Sequence, residues 1–165
     1  MATLQSNTQL SPIFLKSYHR LGRLPYSVET LVECPEISRI HCIIEWKSDG
    51  WFIRDVSKNG VWLNGSQLAT NQDIKLSLND LIVLANNPSL QFQVTSLDAP
   101  RDLLLAIEKY PLTHGESDVV ALEKYHFLPD EHSPELIIYF DASSQSWCYE
   151  SPNSSESTFL ADGQQ

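Results

Sequence analysis

Turn-forming residues interrupt the first 96 residues of the chain every few positions, and this spacing limits how the chain can fold. Each interruption combines residues that favour tight turns, as in Ser48-Asp49-Gly50, Asn59-Gly60, Asn64-Gly65 and Asn86-Asn87-Pro88. The segments between the turns are short for helices and suit strands. We therefore predict a β-sandwich or barrel of short antiparallel strands.

Alternation of apolar and polar residues supports strands within these segments. Ile40, Cys42, Ile44 and Trp46 alternate with His41, Ile43 and Glu45, and Leu90, Phe92 and Val94 alternate with two glutamines. A period of two places one set of side chains on the core face of a strand. Further strands are predicted at Ile13–Lys16, Thr30–Glu33, Trp51–Arg54, Val61–Leu63 and Leu81–Leu84.

The composition changes near residue 98. Residues 1–99 carry eight Lys and Arg against nine Asp and Glu, a net charge of -1. Residues 100–165 carry three against twelve, a net charge of -9. We therefore predict a binding domain over 12–98, a small acidic α+β extension over 99–150 and a flexible, Ser-rich tail over 151–165.

The extension is predicted to contain both helix and strand. Asp98 suits a helix cap, and the apolar residues that follow at helical spacing are Leu103, Leu104, Ile107 and Tyr110, before Pro111. The other predicted elements are a second short helix or turn near Asp118–Tyr125 and a hairpin that joins Glu135–Phe140 to Trp147–Glu150. The expected fold class is mainly β, with this small α+β extension.

Three motifs occur in order within 45 residues of the strand-rich part. They are Leu21-Gly22-Arg23, then Ser38-Arg39-Ile40-His41 fifteen residues after Arg23, and then the run Asp55-Val56-Ser57-Lys58-Asn59-Gly60-Val61-Trp62-Leu63-Asn64-Gly65. With the late stretch Leu78–Leu84, they resemble the forkhead-associated (FHA) family. That resemblance covers residues 12–96 and implies a β-sandwich that binds phosphothreonine in a partner protein and catalyses no reaction.

The chemistry of these residues suits a phosphate. Phosphothreonine carries about -1.5 to -2 charge and three acceptor oxygens, so a site for it needs a guanidinium and neutral donors. The resemblance implies that Arg23, Ser38, Arg39 and Lys58 face the phosphate. It also implies that the Asn59 side-chain amide, which has both donors and an acceptor, holds the backbone of the ligand.

Three further residues are predicted to organise the site. Gly22 belongs to the first motif, and Gly60 suits a turn that needs a positive φ. For His41 we favour a structural role over a catalytic one, with ring nitrogens that bond loop backbone and fix the Ser38 turn. Asp55 is interpreted as a loop anchor.

Two departures from the family pattern leave the peptide preference open. Ala85 follows the strand that ends at Leu84, where the family commonly has glycine, and the loop Asn86-Asn87-Pro88-Ser89 comes next. Arg39 has a structural alternative to phosphate binding, which is a salt bridge with Glu36.

Parts of the sequence are also compatible with two other classes of function. His114, His126 and His132 lie among acidic residues, which could suggest a metal-dependent enzyme, but their spacing matches no ligand signature. The sandwich could also be a phosphate-independent interaction module that docks partners through a strand edge. We therefore expect no enzyme activity, no metal and no cofactor.

Overall charge and segment composition limit the partners and the location. The net charge of -10 argues against nucleic acid, and no apolar run is long enough to span a membrane. The three cysteines have no redox or metal spacing, and the N-terminus lacks a secretory signal, so a cytoplasmic location is expected. The expected partner is a phosphothreonine-containing protein; self-association through a phosphorylated Thr158 is a further hypothesis.

Overall fold

The computed structural model describes residues 1–8, 11–105, 119–122, 125–128, 131–152 and 157–159. The chain divides into two compact units, Met1–Pro100 and Arg101–Gln165. The described residues form strands, turns and loops, with no helix among them. Accordingly, these ranges contain no helix that is long and apolar enough to cross a membrane.

The first unit contains two sheets. Six strands form one sheet in the order β2-β1-β11-β10-β7-β8. Their bounds are β1 Thr3–Ser6, β2 Ile13–Phe14, β7 Val61–Leu63, β8 Ser66–Gln67, β10 Leu81–Leu84 and β11 Gln91–Ser96. All neighbours in this sheet are antiparallel.

Five strands form the other sheet, in the order β4-β3-β5-β6-β9. Their bounds are β3 Tyr18–Gly22, β4 Thr30–Leu31, β5 Cys42–Lys47, β6 Gly50–Asp55 and β9 Asp73–Lys75. Only β3 and β4 pair in parallel in this sheet; the other neighbours are antiparallel.

One apolar core joins the two sheets. Leu4, Ile82 and Val94 of the first sheet and Ile44 and Ile53 of the second are fully buried members of the same cluster. Inward-facing residues of both sheets thus fill a single layer, as in a β-sandwich. The predicted β-sandwich is therefore confirmed for this unit.

The first strand was missed by sequence reasoning. Thr3–Ser6 pairs with β11, and Ala2 and Leu4 are fully buried, although the predicted domain began at residue 12. The segment holds only one large apolar residue, Leu4, so its alternation is weak on its own. Its place in the sheet depends on β11, which lies about 90 residues later in the chain.

A helix was predicted at the start of the second unit. In the residues that the structure describes there, this prediction is wrong. Leu103–Leu105 is strand β12 and pairs antiparallel with β13, Val119–Ala121. Successive leucines fit either a strand or a helix, so pairing with a distant segment decided between them. Ile107, Tyr110 and Pro111 lie outside the described residues.

The described part of the second unit contains only β-structure, so the predicted α+β character is not supported. The second short helix near Asp118–Tyr125 is absent from its described residues: β13 occupies part of the range, and β14 begins at Tyr125. A four-stranded antiparallel sheet has the order β14-β15-β16-β17. Its bounds are β14 Tyr125–Leu128, β15 Leu136–Asp141, β16 Ser146–Glu150 and β17 Ser157–Phe159.

Strands β15 and β16 confirm the predicted hairpin. Strand β17 falls in the segment predicted to be a flexible tail, and its Thr158 pairs with Tyr149 of β16. The difference has a physical reason, since an edge strand such as β16 offers unpaired backbone groups to a following segment. The functional division of the chain into domain, extension and tail stays a prediction.

Candidate functional site

Loops from both sheets meet at one end of the sandwich, and backbone hydrogen bonds join them. The Arg23 amide, which follows β3, donates to the Ser38 carbonyl at 3.1 Å, and the Leu24 amide donates to the Arg39 carbonyl at 3.2 Å. The Ala85 amide, which follows β10, donates to the Gly60 carbonyl at 2.9 Å. The predicted site residues lie on three separate segments at this end, and the loop after β10 contacts one of these segments.

Gly22 lies where the backbone of another loop approaches most closely. It is buried at the end of β3, and a Cβ atom added to it would collide with the carbonyl group of Arg39. Carbonyl atoms of a neighbouring loop cannot shift aside as a flexible side chain can. A glycine is therefore needed to bring the Arg23 and Arg39 segments side by side.

The Ser38 side chain connects two loops and keeps a donor free. Its Oγ accepts a hydrogen bond from the Lys58 amide at 3.1 Å. A hydroxyl has one O–H donor as well as its lone pairs. Ser38, which is half-buried, therefore keeps its proton available for an acceptor at this end of the sandwich.

His41 is fully buried and connects two loops through its ring. Its Nδ1 lies 3.1 Å from the Ser38 amide, which donates to it, so Nδ1 carries no proton. Nε2 then carries the proton and donates to the Gly60 carbonyl at 2.9 Å. Burial lowers the pKa of the His41 imidazole below its ordinary value, although the Gly60 carbonyl and Asp55 act in the opposite direction. The ring is therefore a neutral connector between the Ser38 and Gly60 loops.

A set of side-chain hydrogen bonds shapes the loop between β6 and β7. The buried Asp55 carboxylate accepts bonds from the Ser57 amide at 2.8 Å and the Val61 amide at 3.2 Å. The Ser57 hydroxyl in turn accepts from the Gly60 amide at 2.7 Å, and Gly60 has a φ of 86°. Asp55 thus anchors the loop, and Gly60 occupies the left-handed region that favours glycine.

Ser57 was not among the predicted site-organising residues. The available signal was its position two residues after Asp55, because short polar side chains commonly bond backbone amides nearby. Its hydrogen bonds are to Asp55 and Gly60, which lie on either side of Lys58 and Asn59 in the chain. They therefore set the loop shape on which those two side chains depend.

Asn59 is exposed, and its amide is already partly engaged. Its Nδ2 donates to the Glu36 carbonyl at 2.6 Å, which joins its loop to the segment before Ser38. The second N–H of Nδ2 and the Oδ1 acceptor remain to contact a ligand. This contact fixes the direction of the side chain at the loop surface.

The basic side chains at this end differ from those elsewhere in the first unit. Pairs found elsewhere include Arg20 with Glu29 at 2.8 Å, Lys47 with Asp73 at 2.6 Å, Arg54 with Asp73 at 2.7 Å and Lys75 with Asp49 at 3.3 Å. Within the described ranges, Arg23, Arg39 and Lys58 form no ion pair, and all three are exposed. Three positive charges without an ion pair among the described residues therefore lie on loops that meet at one end.

The salt bridge considered between Arg39 and Glu36 is absent from the described residues. The Glu36 carboxylate instead accepts a hydrogen bond from the Asn87 side chain at 3.2 Å. Asn87 lies in the loop that follows Ala85, whose φ is 53°. A positive φ at Ala85 explains why glycine suits this position.

The histidines that suggested a metal site do not form one in the part of the chain that the structure describes. His126 lies on β14, opposite Ile138, and His132 lies in the following loop. No group of three possible metal-ligating side chains occurs among the described residues. His114, Asp118, Glu123 and Asp130 lie outside them.

Fold and loop contacts together define the first unit as a two-sheet β-sandwich whose connecting loops meet at one end. Residues 19–85 match the family model of the FHA domain. That part of the chain is therefore similar to FHA domains, as its motifs indicated. FHA domains are interaction modules rather than enzymes. The search of curated proteins found no match.

Several solved structures are similar to the first unit. The crystal structure of the MEK1 FHA domain is 24% identical with a TM-score of 0.52, over 57% of this chain and 88% of that one. The FHA domain of the CT664 protein from Chlamydia trachomatis is 24% identical with a TM-score of 0.50, over 58% and 96%. Mycobacterium tuberculosis EmbR in complex with a low-affinity phosphopeptide is 21% identical with a TM-score of 0.50, over 57% and 24%. At these identities the likeness establishes the fold.

Proposed function

We propose that the first unit binds phosphothreonine-containing segments of partner proteins at the loop end that carries Arg23, Ser38 and Asn59. The observation that carries this proposal is the exposed Arg23 guanidinium, which has no ion pair among the described residues, beside a loop whose serine hydroxyl keeps its proton. A phosphate dianion would supply the missing negative charge and the acceptor oxygens.

Each site residue has a distinct role in the proposal. Arg23 makes the main charge contact with the phosphate, since its planar guanidinium can form two parallel hydrogen bonds to oxygen atoms. Ser38 donates one hydrogen bond, and Arg39 and Lys58 add positive charge from neighbouring loops. Asn59 contacts the peptide backbone with the amide groups that its bond to Glu36 leaves free.

Three residues are proposed to hold the site in place without contacting the ligand. Gly22 lets the Arg23 and Arg39 segments approach, and His41 connects the Ser38 and Gly60 loops. Gly60 supplies the backbone conformation that the loop needs. Pre-organised loops favour binding because less conformational freedom is lost when the ligand arrives.

Two of the similar structures, which are described with peptide ligands, support this proposal. The EmbR structure contains a phosphopeptide, and an engineered FHA structure, 23% identical with a TM-score of 0.50, is described with a Myc-pTBD peptide. These ligands belong to those proteins. For this chain, the support is the match of residues 19–85 to the FHA family model together with the loop geometry.

Phosphothreonine is the expected ligand rather than phosphoserine or an acidic mimic. The family resemblance implies a small apolar recess for the threonine methyl group, and one methyl is worth about 1–3 kcal/mol in such a recess. Glutamate has a planar carboxylate with a single charge, so it cannot reproduce the three phosphate oxygens. From the family resemblance, we also propose that the protein acts in Ser/Thr-kinase signalling. Its cysteine content and N-terminal composition suggest that this takes place in the cytoplasm.

Peptide calorimetry tests the proposal. An oriented phosphothreonine library, with its unphosphorylated counterpart as control, first selects a peptide. The full chain is then titrated with that peptide carrying Thr, phosphothreonine, phosphoserine or Glu at the same position. We expect the phosphothreonine peptide to bind more tightly than each of the other three peptides. Equal binding of the phosphorylated and unphosphorylated peptides would favour the phosphate-independent interaction module instead.

A further inference from the structure

A strained turn lies directly beside the phosphate-facing arginine. The Ser27 amide donates to the Leu24 carbonyl at 3.3 Å, which closes a four-residue turn with Pro25 and Tyr26 in its centre. Tyr26 has a φ of 63°. A proline at the second position and a positive φ at the third position are features of a type II turn. Glycine is the preferred third residue in such turns.

Tyr26 is an unusual occupant of that position. The other non-glycine residues with positive φ that the structure describes are small or flexible: Ser48, Asn64, Asn71, Asn79, Ala85, Asn86 and Gln145. A bulky aromatic residue in this region is a conformational outlier. The strain is not offset within the fold, because Tyr26 is 106% exposed and has no side-chain partner among the described residues.

The position of the turn indicates a function for the Tyr26 side chain. Leu24 begins the turn, and its amide donates to the Arg39 carbonyl, so the turn is tied to the loops that carry Arg23 and Arg39. Strained residues that the fold does not require are found preferentially where a ligand binds. Tyr26 is therefore placed to contact a peptide whose phosphate lies at Arg23.

The chemistry of the turn indicates what kind of peptide residue would be recognised. Residues 24–28 carry no charge, and Leu24 is 39% exposed. The nearest following carboxylate, that of Glu29, is already bonded to the guanidinium of Arg20 at 2.8 Å and 3.1 Å. No free charge in this segment would select an acidic or a basic residue, whereas an exposed aromatic ring buries apolar surface readily.

We propose that Tyr26 is a specificity-determining residue that contacts an apolar side chain of the peptide, beside the phosphothreonine. This inference rests on the proposed phosphothreonine binding and adds a preference to it. The phosphate contact with Arg23 supplies charge recognition, and the contact with Tyr26 distinguishes among phosphothreonine sequences.

The test uses the full chain with Tyr26→Gly, Tyr26→Phe and a control, Tyr18→Ala. Tyr18 is also an exposed tyrosine, but it lies at the other end of β3 from Gly22. The ligands are phosphothreonine peptides in which each flanking position carries leucine or alanine in turn. Thermal unfolding and calorimetry are measured for every variant.

We expect Tyr26→Gly to raise the Tm, because glycine relieves the positive φ, and yet to weaken binding of the best leucine-flanked peptide about tenfold. Binding of the alanine-flanked peptides should change little. Tyr26→Phe and Tyr18→Ala should keep the leucine preference. Opposite effects on stability and binding would separate recognition from a structural role.

Two results would reject the inference and are distinguishable from each other. A Tyr26→Gly protein that still requires the phosphate and keeps the wild-type preference for leucine would reject the role of Tyr26 alone. Wild-type protein that binds phosphorylated and unphosphorylated peptides equally would reject the proposed function, and this inference with it.

Discussion

The Ser38 hydroxyl oxygen lies 3.1 Å from the amide nitrogen of Lys58, twenty residues further along the chain. This bond connects the loop before β5 to the loop between β6 and β7. It occupies a lone pair of the hydroxyl and leaves the O–H proton free. One side chain therefore both holds two loops together and keeps a donor free at this end of the sandwich.

Replacement of Arg23 by alanine should weaken binding of phosphothreonine peptides roughly 30-fold or more, because loss of one partner of a close charge pair costs about 2–5 kcal/mol. Calorimetry with the phosphorylated peptide measures the effect. Lys75→Ala is a matched control, since Lys75 is exposed on β9 and pairs with Asp49. An Arg23→Ala protein with wild-type affinity would contradict the proposed site.

Replacement of Ser38 by alanine should reduce phosphopeptide affinity about 10-fold or more, since a hydrogen bond to a charged group contributes about 1.5–3 kcal/mol. The fold should persist, because the Lys58 amide at the exposed loop can bond water instead. Ser66→Ala on the exposed strand β8 provides the control. If both serine variants bind alike, Ser38 does not contact the phosphate.

The stability of the first unit should fall as the pH drops from about 6.5 to about 4. Burial, partly opposed by the charge of Glu29 and reinforced by Lys16 and Arg20, lowers the pKa of His19 from 6.5 to about 4. Between these values the unfolded chain binds a proton that the folded chain does not. Protonation therefore favours unfolding, by about 3 kcal/mol once the pH is below both values.

Urea unfolding at pH 7.5, 6, 5 and 4.5 checks the size of this loss. His19→Gln is the comparison, because glutamine supplies a donor and an acceptor near Thr30 and the Lys16 amide but does not titrate. We expect a smaller decrease for the variant over this interval. His41, whose pKa is also lowered, contributes in the same direction in both proteins.

Replacement of Ala85 by glycine should stabilise the fold by about 1 kcal/mol, because the left-handed conformation costs an L-residue about 1–2 kcal/mol and added chain entropy offsets part of the gain. The matched control is Ala69→Gly, at an exposed alanine without positive φ, which should be destabilising. The urea midpoints of the two variants should move in opposite directions. Movement in the same direction would contradict the assigned strain.

The local sequence was sufficient to predict many of the strands and motifs of the first unit. Val61–Leu63 and Leu81–Leu84 were predicted with the bounds that the structure has. The FHA motifs were recognised from residue types and their spacing. Such features are encoded within a few neighbouring residues, by turn-forming side chains and by period-two alternation.

Sequence reasoning was weaker wherever a segment depends on a distant partner. Thr3–Ser6 was missed and Leu103–Leu105 was predicted as a helix, and both are strands because another segment pairs with them. A short segment with weak alternation, or with adjacent leucines, is compatible with more than one backbone conformation. The hydrogen bonds of the partner strand then decide the outcome.

The same distinction applies to the candidate site. The sequence by itself determined which side chains could serve a phosphate, among them Arg23, Ser38 and Asn59. Only the tertiary structure decided that Arg23 is unpaired among the described residues, that Glu36 contacts Asn87 rather than Arg39, and that Tyr26 is strained and exposed. These properties arise from the approach of loops that are separated in the chain. A residue type specifies what a group can bind, whereas folding decides which of its possible partners lie within reach.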